Sequence, residues 1–155
     1  MQLEIVISRD VNLLVPMLHD ADEDDARITS AIEDAANTTY VAFLEGECVG
    51  SALVCWQTDE SEIIYLAVQS AHRGKGYGKA LIAALVTIAR QYPTQTLLVG
   101  TANTSVDNIL FYQKCGFRME SIRKDYFSYF QTPIYEYGIR IQDMLVFRYD
   151  LVPRR

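Results

Sequence analysis

Short apolar runs recur along the chain, and their spacing changes between the period of a strand and that of a helix. Strand-like runs rich in β-branched and aromatic residues occupy 3–8, 39–44, 49–56, 63–68, 96–101 and 144–151, and a further strand begins at Phe117. Helix-like spacing covers the segment from Asp10 to about Ala21, then 28–36, 79–91 and 106–115. The pattern predicts a domain that mixes strands with about four helices.

Turn-forming residues separate these elements. Asp10 is a candidate N-cap for the first helix, and Gly116 lies where a left-handed helix cap is needed. Glu45-Gly46-Glu47 predicts a tight hairpin, and residues 58–61 predict a turn into the strand that starts at about Ile63. Three successive strands should therefore be antiparallel.

Two segments leave alternatives open, and Arg154-Arg155 is predicted to be a tail. The acidic segment 22–25 is either a solvated helix start or a surface that attracts a cationic substrate. The aromatic segment 127–138 is predicted to be a loop before the last strand. It is either a packed loop or an aromatic wall of the acceptor site that contacts a substrate cation.

Composition limits the class of protein. The chain has 155 residues, half of them hydrophobic, which predicts a single domain over 1–155. It has no apolar run of the about 20 residues that a membrane span needs, and its start lacks the order of a signal peptide. We therefore predict a cytoplasmic protein without a membrane partner.

Net charge and the number of cysteines and histidines limit the classes of ligand that the protein is expected to bind. The net charge of −6 disfavours nucleic acid and suits a cationic substrate such as an amine. Three cysteines without metal-ligand spacing and two histidines predict reduced thiols and no metal site.

The most informative stretch runs from Glu62 to Ala80, where an apolar strand, a glycine-rich turn and a helix follow one another. The first amides of a helix have no partner within the helix, and glycines let several N–H groups converge on one oxyanion. Arg73, Lys75 and Lys79 add positive charge. The stretch therefore predicts a phosphate or pyrophosphate site.

The spacing identifies the kind of phosphate loop. Ala80 stands where a Walker loop needs Ser or Thr, and Gly74, Gly76 and Gly78 do not have the spacing of a dinucleotide fingerprint. The pattern Arg/Gln-x-x-Gly-x-Gly/Ala fits at Arg73, Gly76 and Gly78. This loop resembles the acetyl-CoA pyrophosphate loop of the GNAT superfamily of N-acetyltransferases.

A second block carries the same resemblance. Residues 111–117 match the end of a superfamily pattern that contains Tyr-x-Lys-x-Gly-Phe. Ser105 stands where that pattern usually has Asn, Asn108 stands where it has Ala, and an Asn is present at Asn103. These three residues are the candidates for contact with the cofactor arm. Gly100 to Ser105, Tyr112 to Phe117 and Asp143-Met144 resemble a subgroup of uncharacterised bacterial acetyltransferases.

The resemblance implies a GNAT fold. In this fold a mixed, mostly antiparallel sheet of six to seven strands is flanked by about four helices, and the motif strand splays from the next strand. It also implies acetyl-CoA as co-substrate. Dimers are common in the superfamily, but the sequence leaves open whether this protein forms a homodimer.

The resemblance assigns roles to residues of this chain. The cofactor-binding residues would be Leu66, Ala67, Val68, Arg73, Gly74, Lys75, Gly76, Tyr77, Gly78 and Lys79. Tyr112 would be the general acid that protonates the coenzyme thiolate, and Glu62 is the candidate base. Tyr65 is a further candidate for the acceptor pocket.

The implied function is N-acetyltransfer to a primary amine of a small molecule or peptide, by direct attack in a ternary complex. Two alternatives are a non-catalytic acetyl-CoA-binding sensor or regulatory domain, and an acyltransferase that uses a longer acyl-CoA. The sensor would keep the phosphate loop without needing Tyr112 or Glu62.

Overall fold

A computed structural model describes residues 2–152, so the predicted tail Arg154-Arg155 lies outside the described residues. The strands are β1 Glu4–Ile7, β2 Asn37–Leu44, β3 Glu47–Cys55, β4 Asp59–Val68, β5 Thr94–Ala102, β6 Arg118–Arg123, β7 Tyr135–Glu136, β8 Ile139–Arg140 and β9 Met144–Asp150. The helices are α1 Val11–Leu18, α2 Asp25–Glu33, α3 Tyr77–Ala89 and α4 Val106–Lys114, with short 3-10 turns at Ser70–His72 and Tyr126–Tyr129.

Seven strands form one sheet in the order β1-β2-β3-β4-β5-β9-β6. All neighbours in it are antiparallel except β4 and β5. The mixed, mostly antiparallel sheet and its flanking helices confirm the predicted fold class. The three successive antiparallel strands β2, β3 and β4 are confirmed as well.

The parallel pair β4 and β5 separates part-way along its length. Its register runs from Asp59 opposite Thr94 to Ile63 opposite Val99 and then stops. Beyond that point β4 continues to pair with β3 as far as Val68, and β5 with β9 as far as Ala102. The predicted splay after the motif strand is therefore present, and it opens a gap between the ends of β4 and β5.

A register shift between Leu53 and Val54 of β3 leaves Ile64 of β4 as an extra residue. As a result Ile63 packs in the hydrophobic cluster that contains α3, whereas Tyr65 and Ala67 pack in the cluster that contains α1 and α2. The bulge thus turns Tyr65 towards the face covered by the first two helices.

Several predicted boundaries need correction. The turn predicted over 58–61 is wrong, since β4 already begins at Asp59. The start of β4 is held by β5: Asp59 pairs with Thr94, and the Ser61 hydroxyl donates to the Thr94 hydroxyl. The first helix ends at Leu18 rather than near Ala21, and the second helix spans Asp25–Glu33 rather than residues 28–36. The predicted loop over 127–138 contains most of a 3-10 turn and the strand β7, which pairs with β8 directly after the loop.

Two predicted caps are confirmed. The Asp10 carboxylate accepts hydrogen bonds from the backbone of Asn12 and Leu13 at the start of α1. Gly116 has a φ of +99° directly after α4, which a glycine adopts without steric cost.

Candidate active site

The glycine-rich loop before α3 forms an anion site built from backbone. Gly74 and Gly76 have φ values of +74° and +87°, and Gly76 is the N-cap residue of α3 without a side-chain cap. The first helical bond runs from the Ala80 N–H to the Gly76 carbonyl. The N–H groups of Tyr77, Gly78 and Lys79 therefore lack partners within the helix and are available to an anion.

A cleft of about 650 Å³ lies against this loop. It is lined by the loop, the end of β4 and one face of α4, including Leu66, Ala67, Val68, Arg73, Gly74, Gly76, Tyr77, Gly78, Lys79, Asn108 and Tyr112. A Cβ on Gly78 would lie 3.1 Å from Cζ of Phe111, so glycine there lets α3 approach α4 closely. The structure thus brings together all predicted loop residues except Lys75, which does not line the cleft.

Positive charge surrounds the cleft. Lys79 and Lys114 line it together with Arg73. The Arg73 guanidinium donates from Nε to the Val68 carbonyl over 3.1 Å, and from Nη2 to the carboxylate of Asp20. Lys114 and Asp20 were not among the predicted site residues. The Tyr-x-Lys spacing offered a signal for Lys114, but no local pattern marks Asp20.

The end of β4 presents backbone donors to the gap. The Gln69 N–H donates to the Val49 carbonyl on the β3 side. Because donors alternate sides along an antiparallel pair, the N–H groups of Leu66 and Val68 face away from β3, into the gap next to the cleft. Ala67 N–H faces β3 by the same alternation.

A second cavity of about 460 Å³ opens on the other side of the gap. Aromatic and aliphatic side chains form much of its wall, namely Ile64, Tyr65, Tyr126, Phe127, Tyr129, Phe130, Ile134, Ile141 and Met144. Four of its lining residues are acidic, Asp20, Asp22, Glu23 and Glu136, whereas Arg27 is its one basic lining residue among residues 2–152. The cavity is therefore suited to a cation with an apolar body.

Asp22 is buried in the wall of this second cavity. One carboxylate oxygen accepts from the Tyr65 hydroxyl at 2.8 Å and from Arg27 Nε at 3.2 Å, and the other accepts from the Asp24 N–H at 2.9 Å. The Arg27 guanidinium stacks on the Tyr129 ring at 3.8 Å. Burial and the Asp22 carboxylate raise the pKa of Tyr65, which keeps its hydroxyl a donor.

The acidic segment 22–25 has features of both alternatives, a solvated helix start and a surface that attracts a cationic substrate. Asp24 caps α2, as a solvated helix start would require, but Asp22 and Glu23 line the second cavity. Sequence reasoning did not single out Asp22, because nothing local shows that a residue at a helix start packs against Tyr65.

Tyr112 lies where the two cavities meet. It lines both of them and is 6% exposed, and its ring packs against Phe117 and Phe147. No residue in 2–152 hydrogen-bonds its hydroxyl, and burial raises its pKa well above the ordinary value. The side chain is therefore protonated at neutral pH, with a donor available to a ligand.

The three candidates for contact with the cofactor arm lie in different places. Asn108 lines both cavities and donates to Thr101 Oγ1 at 3.2 Å, and Ser105 lines the second cavity. Asn103 lines neither cavity. Its amide group bonds the Arg140 carbonyl and the N–H groups of Gln142 and Asp143, which fixes the segment after β8.

Glu62 lies in β4 outside the linings of both cavities. Its two carboxylate oxygens accept from the Arg123 guanidinium at 3.0 and 2.6 Å. Both oxygens are thus engaged by a guanidinium rather than directed into a cavity. Its role as the base stays a prediction, and this geometry weighs against it.

The role of Glu62 can be measured. We expect Glu62→Gln to change kcat by less than about threefold, because the carboxylate is engaged by Arg123 rather than directed into a cavity. Thermal unfolding of the variant reports the loss of the ion pair separately. A loss of roughly 10² or more in kcat, with the acidic limb of the pH–rate profile removed, would instead establish Glu62 as the base.

Within the described range 2–152, no cluster of three or more His, Cys, Asp or Glu side chains is arranged to hold a metal ion. The helices of that range are all too short or too polar to cross a lipid bilayer.

Comparison with known proteins identifies the family. The model of the acetyltransferase (GNAT) family matches residues 10–117. The chain belongs to this family. The protein is therefore an acyltransferase of the N-acetyltransferase class, and this class uses acetyl-CoA as acyl donor.

Individual GNAT proteins resemble most or nearly all of the chain. An uncharacterised N-acetyltransferase of Bacillus subtilis, YvbK, is 33% identical over 72% of this chain and 74% of its own length. A Bacillus subtilis acetyltransferase in complex with CoA has a TM-score of 0.88 and 28% identity, covering 97% of this chain and 100% of its own. A GNAT acetyltransferase from Elizabethkingia anophelis with acetyl-CoA bound has a TM-score of 0.87 and 26% identity, covering 96% and 97%.

Proposed function

We propose that this GNAT protein transfers an acetyl group from acetyl-CoA to a primary amine of a small molecule or peptide, by direct attack in a ternary complex. One observation carries the proposal: the cleft at the phosphate loop and the second cavity share the lining residues Asp20, Leu66, Asn108 and Tyr112. Donor and acceptor bound in the two cavities would therefore meet at these residues without a covalent enzyme intermediate.

The residues of the cleft fit acetyl-CoA. The unpaired amides of Tyr77, Gly78 and Lys79 suit a diphosphate, and Lys79 and Lys114 add charge. Bound acetyl-CoA supplies an activated thioester carbonyl. The outward N–H groups of Leu66 and Val68 would hold the pantetheine arm and polarise that carbonyl.

Tyr112 is the residue that moves a proton in this proposal. Its side chain lines both cavities, and its hydroxyl carries its proton at neutral pH. As the amine attacks, the hydroxyl would donate this proton to the departing sulfur. The ammonium form of the acceptor would lose one proton to solvent before the attack and a second after it, and solvent would return a proton to the Tyr112 phenolate.

The second cavity favours an amine with an apolar body and no carboxylate. Its aromatic wall suits rings or alkyl groups, and its lining carboxylates repel an acidic group. Arg27 cannot compensate, because its guanidinium is already held by Asp22 and Tyr129.

An amine panel tests the proposal. We expect 2-phenylethylamine and tyramine to be acetylated with a kcat/KM roughly tenfold or more above that of phenylalanine, whose carboxylate meets the acidic cavity. Release of free coenzyme A, corrected for a reaction without amine, is the readout. Spermidine and an alanine-initiated peptide extend the panel to polyamine and peptide acceptors.

The donor is tested in the same assay with acetyl-CoA, propionyl-CoA and hexanoyl-CoA. We expect acetyl-CoA to give the highest kcat/KM. If calorimetry shows that acetyl-CoA binds but no amine of the panel causes release of free coenzyme A, the proposed transfer is contradicted and a binding domain is favoured.

A further inference from the structure

Asp20 occupies a position that no other acidic residue of the site shares. It lies in the connection between α1 and α2. It lines both the cleft at the phosphate loop, here called the cofactor cleft, and the second cavity, here called the acceptor cavity. Its carboxylate accepts a hydrogen bond from Nη2 of Arg73, the first residue of the phosphate-loop motif. Asp20 thus links the two substrate sites through one ion pair.

This ion pair is easily exchanged. The Arg73 side chain is 51% exposed and that of Asp20 is 66% exposed, and pairs of this kind contribute little to stability. Arg73 also lines the cleft into which a diphosphate would bind. A diphosphate as a whole carries more negative charge than one carboxylate and forms strong charge-assisted bonds with a guanidinium, so it competes effectively for Arg73.

The other lining carboxylates are less available. Asp22 already accepts three hydrogen bonds, and Glu136 accepts one from the buried Thr104 hydroxyl at 3.1 Å. Glu23 lines only the acceptor cavity. Of the acidic side chains within residues 2–152 that line the acceptor cavity, Asp20 alone is paired with Arg73, which the diphosphate of acetyl-CoA would bind.

We propose that acetyl-CoA draws Arg73 away from Asp20, and that the released Asp20 carboxylate binds the ammonium group of the acceptor beside Tyr112. The inference rests on the proposed function and adds the residue that recognises the amine. It makes the binding of the two substrates cooperative, because each favours the state in which the Asp20–Arg73 pair is broken.

The variant Asp20→Asn separates this role from a structural one. In this variant Arg73 has no carboxylate partner and is available to the diphosphate from the start. We therefore expect coenzyme A to bind about two- to fivefold tighter by calorimetry. The acceptor loses its counter-ion, so we expect its KM to rise about tenfold or more with little change in kcat. A merely structural defect would weaken the binding of both substrates.

Cooperativity itself is measured with 2-phenylethylamine, or with the panel amine of highest kcat/KM, titrated into the free protein and into its complex with coenzyme A. We expect several-fold tighter binding to the complex in the unmodified protein and no such gain in Asp20→Asn. Asp20→Glu, which keeps the charge, should restore the gain. Glu23→Gln should leave coenzyme A affinity unchanged, because Glu23 does not line the cleft.

The inference is overturned if Asp20→Asn binds coenzyme A no tighter than the unmodified protein, or if its acceptor KM stays within twofold. Either result together with normal acetyl transfer would leave the proposed function intact. Absence of turnover with every panel amine would instead remove the proposed function and this inference with it.

Discussion

Replacing Tyr112 with phenylalanine should lower kcat by roughly 10²–10⁴ and change the affinity for acetyl-CoA by less than about twofold. The substitution removes only the hydroxyl of a side chain that lines both cavities, and this hydroxyl has no hydrogen-bond partner in the part of the chain that the structure describes. The ring contacts with Phe117 and Phe147 are kept, so the fold should be unaffected. Steady-state rates and acetyl-CoA calorimetry measure the two effects separately.

The pH dependence gives a second test of Tyr112. Burial raises the pKa of its hydroxyl, so the proton that it donates should remain available well into the alkaline range. We therefore expect the unmodified protein to show no loss of kcat from Tyr112 ionisation between about pH 6 and pH 9. If the Tyr112→Phe variant has the same kcat as the unmodified protein throughout this pH range, Tyr112 has no part in proton transfer.

Tyr40 provides the matched control. It is also a buried tyrosine, and burial raises its pKa to about 12, but its hydroxyl accepts a hydrogen bond from Trp56 and it lines neither cavity. Tyr40→Phe should therefore cost some stability while kcat stays close to that of the unmodified protein.

Replacing Gly74 with valine should weaken acetyl-CoA binding roughly ten- to a hundredfold. Gly74 has a φ of +74°, a conformation that β-branched residues strongly disfavour. Open space surrounds it, so the new side chain would not clash with its neighbours. The loop would instead relax to another backbone conformation and move the α3 amides out of register with the diphosphate.

Gly46 is a matched control for this substitution, because it has a φ of +83° in the β2–β3 turn and is also surrounded by open space. Gly46→Val imposes a similar strain, about 1–2 kcal/mol, at a turn residue that does not line the cleft. We expect the two variants to lose similar free energy of unfolding in urea, but only Gly74→Val to lose acetyl-CoA affinity. Equal affinities in the two variants would show that the loop conformation does not determine cofactor binding.

The cofactor side of the site could be predicted from the sequence because it is local. Arg73, Gly76 and Gly78 are close in the chain, and the strand before them and the helix after them fix their arrangement through short-range geometry. The structure accordingly brings the predicted loop residues to one cleft. Lys75, at the tip of the same loop, does not line it, since spacing alone does not give the direction of a side chain.

The acceptor side depends on contacts between distant segments. The pair of Tyr65 with Asp22 and the pair of Arg73 with Asp20 join residues 43 and 53 positions apart. Asn103 has the right residue type for a cofactor contact, but its amide group is used by the segment after β8. Glu62 is similarly engaged by Arg123, 61 positions away.

By itself the sequence determined the alternation of strands and helices, the phosphate loop and the position of Tyr112 in its helix, because periodicity and turn chemistry act over a few residues. Only the tertiary structure decided which side chains line the second cavity, where we propose that the acceptor binds. The splay of β4 from β5 and the bulge at Ile64 set the directions of Tyr65 and Leu66. Those directions follow from strand pairing across the whole sheet, which no local pattern encodes.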